Sequence, residues 1–276
     1  MDVGRRLLRR VRGRPRRARD PEWLLREPTP PPCPPGWLTG PPDFVGVGAQ
    51  KAGTTWWFHL MAAHPRIHHD PGQRPELHFF DRFVDAWPTR ADIERYHRLF
   101  PRPPGGLAGE KTPEYMADYW VPRMLHQAAP DARLIVLLRD PLERYLSART
   151  QGRRRDWPNE RRTIGDAFQR GRYADQLRRL RSCFPADRIL VLQYERCVED
   201  PAGELERTYR FLGLPSEPVP EADLRRPRNV THTEKVELDP ERRALLVELY
   251  EAEIRDLTRL VPDLDVGLWP NFAHLT

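Results

Sequence analysis

Apolar side chains fall in three short runs separated by longer stretches with helical spacing. Asp43 to Gly48 is rich in valine and closed by glycine, which suits a strand buried on both faces. Ala132 to Arg139 and Arg188 to Gln193 read the same way. Gly53 to Ala63 follows the first run as a helix whose threonines can cap its first turn, ending before Pro65. Asp140-Pro141 opens another helix, with an N-cap residue and a proline at the first helical position. Further helical stretches are expected over Ala91 to Phe100, Asp118 to Ala129, Tyr173 to Cys183, Glu204 to Leu212 and Pro240 to Leu260. The last of these places Leu245, Leu246, Leu249, Tyr250, Ile254 and Leu257 on one face. Strands alternating with helices predict a three-layer α/β fold around a mainly parallel sheet.

Composition changes this picture only at the N-terminus. The 31 prolines suggest disorder, but many fall between Pro28 and Pro42. Residues 1–42 are therefore expected to be a disordered basic, proline-rich arm and residues 43–276 one domain. Residues 1–19 carry nine arginines and one aspartate, so the net +6 of the chain is a property of this arm and the remainder is slightly acidic. Such an arm is either a solvated tail or a contact for an anionic membrane surface or nucleic acid. Arginines interrupt Leu7, Leu8 and Val11, so no secretory signal is read there. No stretch approaches the roughly 20 apolar residues of a membrane span. Cys33, Cys183 and Cys197 have no metal-like spacing and make no disulfide framework, which points to a reducing cytoplasm.

Of the 46 basic side chains only Lys51, Lys111 and Lys235 are lysines. Lysine supplies a compact charge where arginine supplies a wide fork, so these positions are candidates for a specific role. Lys51 lies in Gly48-Ala-Gln-Lys51-Ala-Gly53-Thr54-Thr55, a glycine-bearing turn between a strand and a helix. Backbone amides and the helix N-terminus there can cradle a phosphate-like anion. In a nucleotide triphosphatase loop the lysine directly follows the second glycine. Here Thr54 occupies that position, and a P-loop kinase or nucleotidase remains the alternative reading.

With Gln-Lys-Ala-Gly-Thr-Thr at 50–55, the chain resembles sulfotransferases that use 3'-phosphoadenosine 5'-phosphosulfate (PAPS). The resemblance implies a P-loop-like fold, PAPS as co-substrate with no metal required, and a 5'-phosphosulfate site built from Lys51, Ala52, Gly53, Thr54 and Thr55. The segment Leu134 to Ser147 is similar to the family's 3'-phosphate motif, which assigns that phosphate to Arg139 and Ser147. Arginine suits it because its fork makes paired hydrogen bonds to phosphate oxygens. An ion pair of Arg139 with Asp140 or Glu143 is the competing reading.

Between these segments lie Glu76-Leu-His78-Phe-Phe-Asp81 and Gly109-Glu-Lys111-Thr-Pro-Glu-Tyr115. If the first is extended, Glu76, His78 and Phe80 share one face. The two segments resemble those of the heparan sulfate glucosaminyl 3-O-sulfotransferases and of bacterial sulfotransferase domain proteins. That likeness implies Glu76 as the base for an acceptor hydroxyl, with His78, Asp81, Lys51 and Lys111 around the transferring group. A packed imidazole between Phe79 and Phe80 is the other reading of His78, while His64, His68 and His69 read as loop residues without partners. Arg225 to Lys235 lacks the cysteine pair of the animal enzymes, so Lys235 is either a cofactor-binding residue or a solvent-facing one. Acceptors implied by the resemblance are sugars, lipids and secondary metabolites, with Asp81 to Gly109 and Arg149 to Arg162 able to shape the pocket. Within the latter, Arg153, Arg154 and Arg155 suit an acidic glycan or a solvated helix end.

Overall fold

The structure, a computed structural model, describes residues 27–70, 72–154, 160–225 and 234–276. The arginine-rich stretch 1–19, Arg155 and residues 226–233 of the Arg225 to Lys235 stretch lie outside the described residues, as do the side chains of Arg154, Arg161 and Arg162. Five strands, β1 (Phe44–Gly48), β2 (Ile67–His68), β3 (Leu107–Lys111), β4 (Arg133–Leu138) and β5 (Ile189–Gln193), form one sheet in the order β2-β3-β1-β4-β5. Every pairing is parallel. A parallel sheet requires crossover segments that return over its faces, which explains why helices separate the strands and why strand residues are apolar. The chain leaves β1 toward β3 on one side and reaches β4 and β5 on the other, so the strand order reverses at β1. Ligands of open α/β sheets bind beyond the strands' carboxyl ends at such a reversal.

Sequence reading did not predict β3. Its Gly-Glu-Lys ending has neither apolar continuity nor alternation, yet Glu110 and Lys111 are buried at 1% and 2% exposure. Their side chains are enclosed because each has specific polar partners, described below.

Helix α1 (Thr54–Ala62) follows β1. Trp57 Nε1 donates to Thr208 Oγ1 at 3.2 Å and Tyr209 OH donates to the Leu60 carbonyl at 3.1 Å, fixing α1 against helix Pro201–Leu212. The threonines do not cap α1: the N-cap is Gly53, and Thr55 is engaged by Lys111 instead. Helix α2 spans Arg90–His97 and α3 spans Val121–Ala128, the latter starting three residues later than expected because residues 113–119 form a turn into the site. Helix α4 (Pro141–Arg154) begins as expected, with Asp140 Oδ1 accepting from the amides of Leu142 at 2.9 Å and Glu143 at 3.1 Å.

Further expectations need correction. On the Pro240–Leu260 helix Tyr250, Ile254 and Leu257 are buried, but Leu245 and Leu249 are 53% and 54% exposed. Leu246 and Val247 of the same turns pack against the core, so the buried stripe runs through Leu246, Tyr250, Ile254 and Leu257, and Leu245 and Leu249 fall on the helix's outer flank. His64, His68 and His69 have partners after all: the His64 ring is buried, its Nε2 lies 3.2 Å from the Pro215 carbonyl and its Nδ1 accepts from the Arg66 amide at 3.0 Å, while His68, in β2, meets the Trp37 ring edge-on and His69 meets that of Phe58. Before Asp43 the chain is already tied down, through the Leu38–Arg102 bridge and the pairing of Glu27 with Arg82 and Arg95.

Candidate functional site

The turn after β1 occupies the sheet's reversal point. The Ala49 amide donates to the Leu137 carbonyl at 2.8 Å, which binds the turn to β4. Lys51 and Gly53 then adopt positive φ of 71° and 91°, curling the backbone into a concave loop ahead of α1. The first hydrogen bond along α1 runs from the Trp57 amide to the Gly53 carbonyl, so the amides of Thr54, Thr55 and Trp56 have no carbonyl one turn back. Those donors and the helix dipole meet at one end of the loop.

Arg139 sits at the carboxyl end of β4, on the same rim. Its NH1 donates to the Lys51 carbonyl at 3.4 Å and its guanidinium lies 5.0 Å from the centre of the Tyr194 ring. The competing pairings are weak: Glu143 stands at 4.0 Å, and Asp140 is committed to the cap and to Asn271. Tyr173 OH donates to the Arg139 carbonyl at 2.9 Å. Ser147 is half-buried two turns along α4. One turn further, Thr150 Oγ1 accepts from the Val236 amide at 3.0 Å, which brings the exposed Lys235 toward the same helix. Tyr194 and Tyr173 were not predicted, although Tyr194 follows β5 directly and so falls on the same carboxyl-end rim.

Lys111, at the end of β3, reaches across to α1. Its Nζ donates to Thr55 Oγ1 at 2.9 Å and to Glu76 Oε1, so a buried ammonium links the phosphate-type loop to a half-exposed carboxylate. Glu76 keeps its other oxygen 4.0 Å from His78 Nε2, and His78 Nδ1 lies 2.6 Å from Asp81 Oδ2. The 75–81 segment is not an extended strand. His78 takes a φ of 50°, and Phe80–Arg82 form a 3₁₀ turn, which buries both Phe79 and Phe80 while His78 turns toward the carboxylates. The phenylalanine rings pack on each other and on Tyr96, so the imidazole is not held between them. The structure thus gathers Glu76, His78, Asp81 and Lys111 at one edge of the loop that carries Thr55.

The charges here are coupled. Burial pulls the His78 pKa down, but the hydrogen bond to Asp81 and the fields of Glu114, Asp81 and Glu76 leave it above its ordinary value. Asp118 is pushed up to about 7 by burial and by Asp81 and Glu114, against Arg170 and His78. Gln50 of the loop donates to Glu114 Oε1 at 2.8 Å, a second link between the loop and the turn that follows β3.

Comparison with known proteins bears on the family and the fold. A model of the sulfotransferase domain family matches residues 41–237. Mouse heparan sulfate glucosamine 3-O-sulfotransferase 6 is 34% identical over 190 residues, covering 63% of this chain and 52% of that protein. Human heparan sulfate glucosamine 3-O-sulfotransferase 3B1 is 35% identical over 191 residues, covering 63% of this chain and 46% of that protein. The chain therefore spans about half the length of these curated relatives. The crystal structure of a sulfotransferase from Alicyclobacillus acidocaldarius superposes with a TM-score of 0.66 at 21% identity, over 82% of this chain and 98% of that one, and so shares the fold. Because the family model spans the loop, Arg139 and the helices between them, this chain belongs to the sulfotransferase domain family.

Proposed function

We propose that residues 43–276 form a PAPS-dependent O-sulfotransferase that moves a sulfuryl group to a hydroxyl of a carbohydrate or small-molecule acceptor. The observation that carries this reading is the Lys111 bridge, which joins Thr55 of the anion loop to Glu76. A cation between a phosphate-type cradle and a carboxylate is what transfer from a phosphosulfate to an alcohol requires. The residues fit the co-substrate: Lys51, Ala52, Gly53, Thr54 and Thr55 would hold the 5'-phosphosulfate with backbone amides and hydroxyls. Arg139, stacked on Tyr194, would hold the 3'-phosphate with Ser147, and Lys235 would approach along the same helix.

On the acceptor side, Glu76 takes the hydroxyl proton as the oxygen attacks sulfur. The sulfur–oxygen bond to the phosphate breaks in line, and adenosine 3',5'-bisphosphate leaves with the electron pair. A positioned base contributes about 10² to 10⁴-fold. Lys111 and Lys51 offset the charge growing on the bridging oxygen, while His78, oriented by Asp81, faces Glu76 and the acceptor. The absence of lysine after Gly53 argues against the phosphoryl-transfer alternative.

The relatives' names specify heparan sulfate, and a glycan is the first acceptor to test; lipids and secondary metabolites follow. Sulfur-labelled PAPS incubated with the protein and heparan sulfate, or with total glycan and lipid extracts, should yield a labelled acceptor. Release of label from ATP-Mg-type substrates with none from PAPS would overturn the reading.

A further inference from the structure

Glu110, buried at the end of β3, has a hydrogen-bond pattern that the transfer chemistry does not use. Its Oε1 accepts from Tyr96 OH at 2.7 Å and from Tyr115 OH at 3.3 Å. Its Oε2 accepts from Thr112 Oγ1 at 2.7 Å and from the Leu77 amide at 3.3 Å. Two of those hydroxyls are themselves acceptors. Thr112 Oγ1 takes the His78 amide at 3.3 Å, and Tyr115 OH takes the amides of Phe79 at 2.8 Å and Phe80 at 3.4 Å. A hydroxyl has one proton to give, and here each gives it to Glu110. Four successive amides, Leu77 to Phe80, therefore end on one carboxylate, either directly or through one hydroxyl.

We propose that Glu110 is the positioning residue of the acceptor-side loop, fixing through Leu77, Thr112 and Tyr115 the turn that aims Glu76, His78 and Asp81 at the acceptor. The left-handed φ of 50° at His78, uncommon for a residue with a Cβ, is the conformation this network holds. Without it the turn relaxes toward extended backbone and the imidazole leaves the carboxylates.

The network needs the carboxylate ionised. A protonated carboxyl donates, and all four partners already donate, so proton uptake sets donor against donor. Burial pushes Glu110 up to about 7, opposed by its bonds from Thr112, Tyr96 and Leu77 and by the charge of His78. The titratable groups facing it are Tyr96 from α2, Tyr115 from the turn after β3 and His78 from the loop. Both tyrosines are pushed far above their ordinary values by burial and stay protonated. Lys111, its neighbour in the strand, is engaged by Glu76 and Thr55.

The test uses the full chain and the Glu110→Gln, Thr112→Val and Thr112→Ser variants. Amide hydrogen exchange over residues 75–82 reads the turn without reference to activity, calorimetry with adenosine 3',5'-bisphosphate reads the cofactor side, and turnover of labelled PAPS with heparan sulfate reads the chemistry. Glu110→Gln should lose exchange protection at Leu77 to Phe80 and about 10 to 100-fold in kcat, with nucleotide affinity unchanged. The inflection of its rate near pH 7 should also shrink by the share of Glu110, leaving that of Asp118 in place. Thr112→Val should follow it and Thr112→Ser should recover, which decides the matter if Glu110→Gln does not fold. Unchanged protection in Glu110→Gln and Thr112→Val overturns the proposal. The kinetic arm rests on the PAPS reading; if wild-type protein binds no nucleotide and transfers no sulfuryl, that reading fails while exchange still decides the role of Glu110.

Discussion

Gly53→Ala is the substitution whose consequence the structure specifies most fully. Gly53 holds a φ of 91°, and a Cβ there would lie 2.8 Å from two carbons of the Tyr194 ring. The left-handed backbone alone costs an L-residue about 1–2 kcal/mol. Displacing a packed ring adds about 1–3 kcal/mol. With roughly 2–4 °C lost per kcal/mol in a protein of this size, the melting temperature should fall by about 4–20 °C. The same ring lies under the Arg139 guanidinium. Moving it shifts a proposed phosphate ligand, so affinity for adenosine 3',5'-bisphosphate should fall at least about tenfold. Differential scanning calorimetry and calorimetric titration read the two effects. Gly53→Ala combined with Tyr194→Leu should recover part of the melting temperature, because the clash is gone, but not the affinity, because Arg139 has lost its platform. Wild-type melting and wild-type affinity in Gly53→Ala would refute the coupling of loop, ring and arginine.

Two further outcomes follow from the site. Glu76→Gln should lower kcat by about 10² to 10⁴-fold while nucleotide affinity, measured by titration, stays at the wild-type level; normal turnover would sink the base assignment. Stability should also depend on pH through Glu110. Its folded value of about 7 exceeds the ordinary 4.5, so between these the folded protein keeps a proton that the unfolded chain has released. The buried charge that the turn requires is therefore carried at a cost in stability, absent below about 4.5 and complete once pH has risen through 7, on the order of 3 kcal/mol. Asp118 acts in the same direction, so the readout is the slope of melting temperature between pH 5 and pH 8 in wild type minus that in Glu110→Gln. Equal slopes would exclude Glu110 as a source.

The parts of this molecule that could be read from sequence are those with local causes. The valine run of β1, the apolar β4 and β5, the glycine-bearing turn and the Asp140-Pro141 helix start each state their conformation within a few residues. Arg139 could be placed on the rim of the Lys51 loop because strand ends in a parallel sheet share a side, whereas only the resemblance ties the Glu76 to Asp81 segment to that rim. What could not be read depends on partners distant in sequence. Strand β3 is polar because Glu110 and Lys111 are satisfied by Tyr96, Thr55 and Glu76. The turn at His78 departs from strand alternation because side chains from residues 110–115 capture its amides. Leu245 and Leu249 are exposed because the core takes the face of the last long helix that carries Leu246, Tyr250, Ile254 and Leu257, and a helix with apolar residues on two faces leaves that choice to tertiary packing.

The claim that Arg139 and the Lys51 loop form a 3'-phosphorylated nucleotide site is tested most directly by calorimetric titration of adenosine 3',5'-bisphosphate, adenosine 5'-phosphate and ATP-Mg into wild-type and Arg139→Ala protein. Hydrogen bonds to a charged group contribute about 1.5–3 kcal/mol, so wild type should prefer the bisphosphate to the monophosphate by about 10 to 150-fold, and Arg139→Ala should erase that preference while still binding the monophosphate. Tighter binding of ATP-Mg than of the bisphosphate, or a preference untouched by the substitution, would contradict the account.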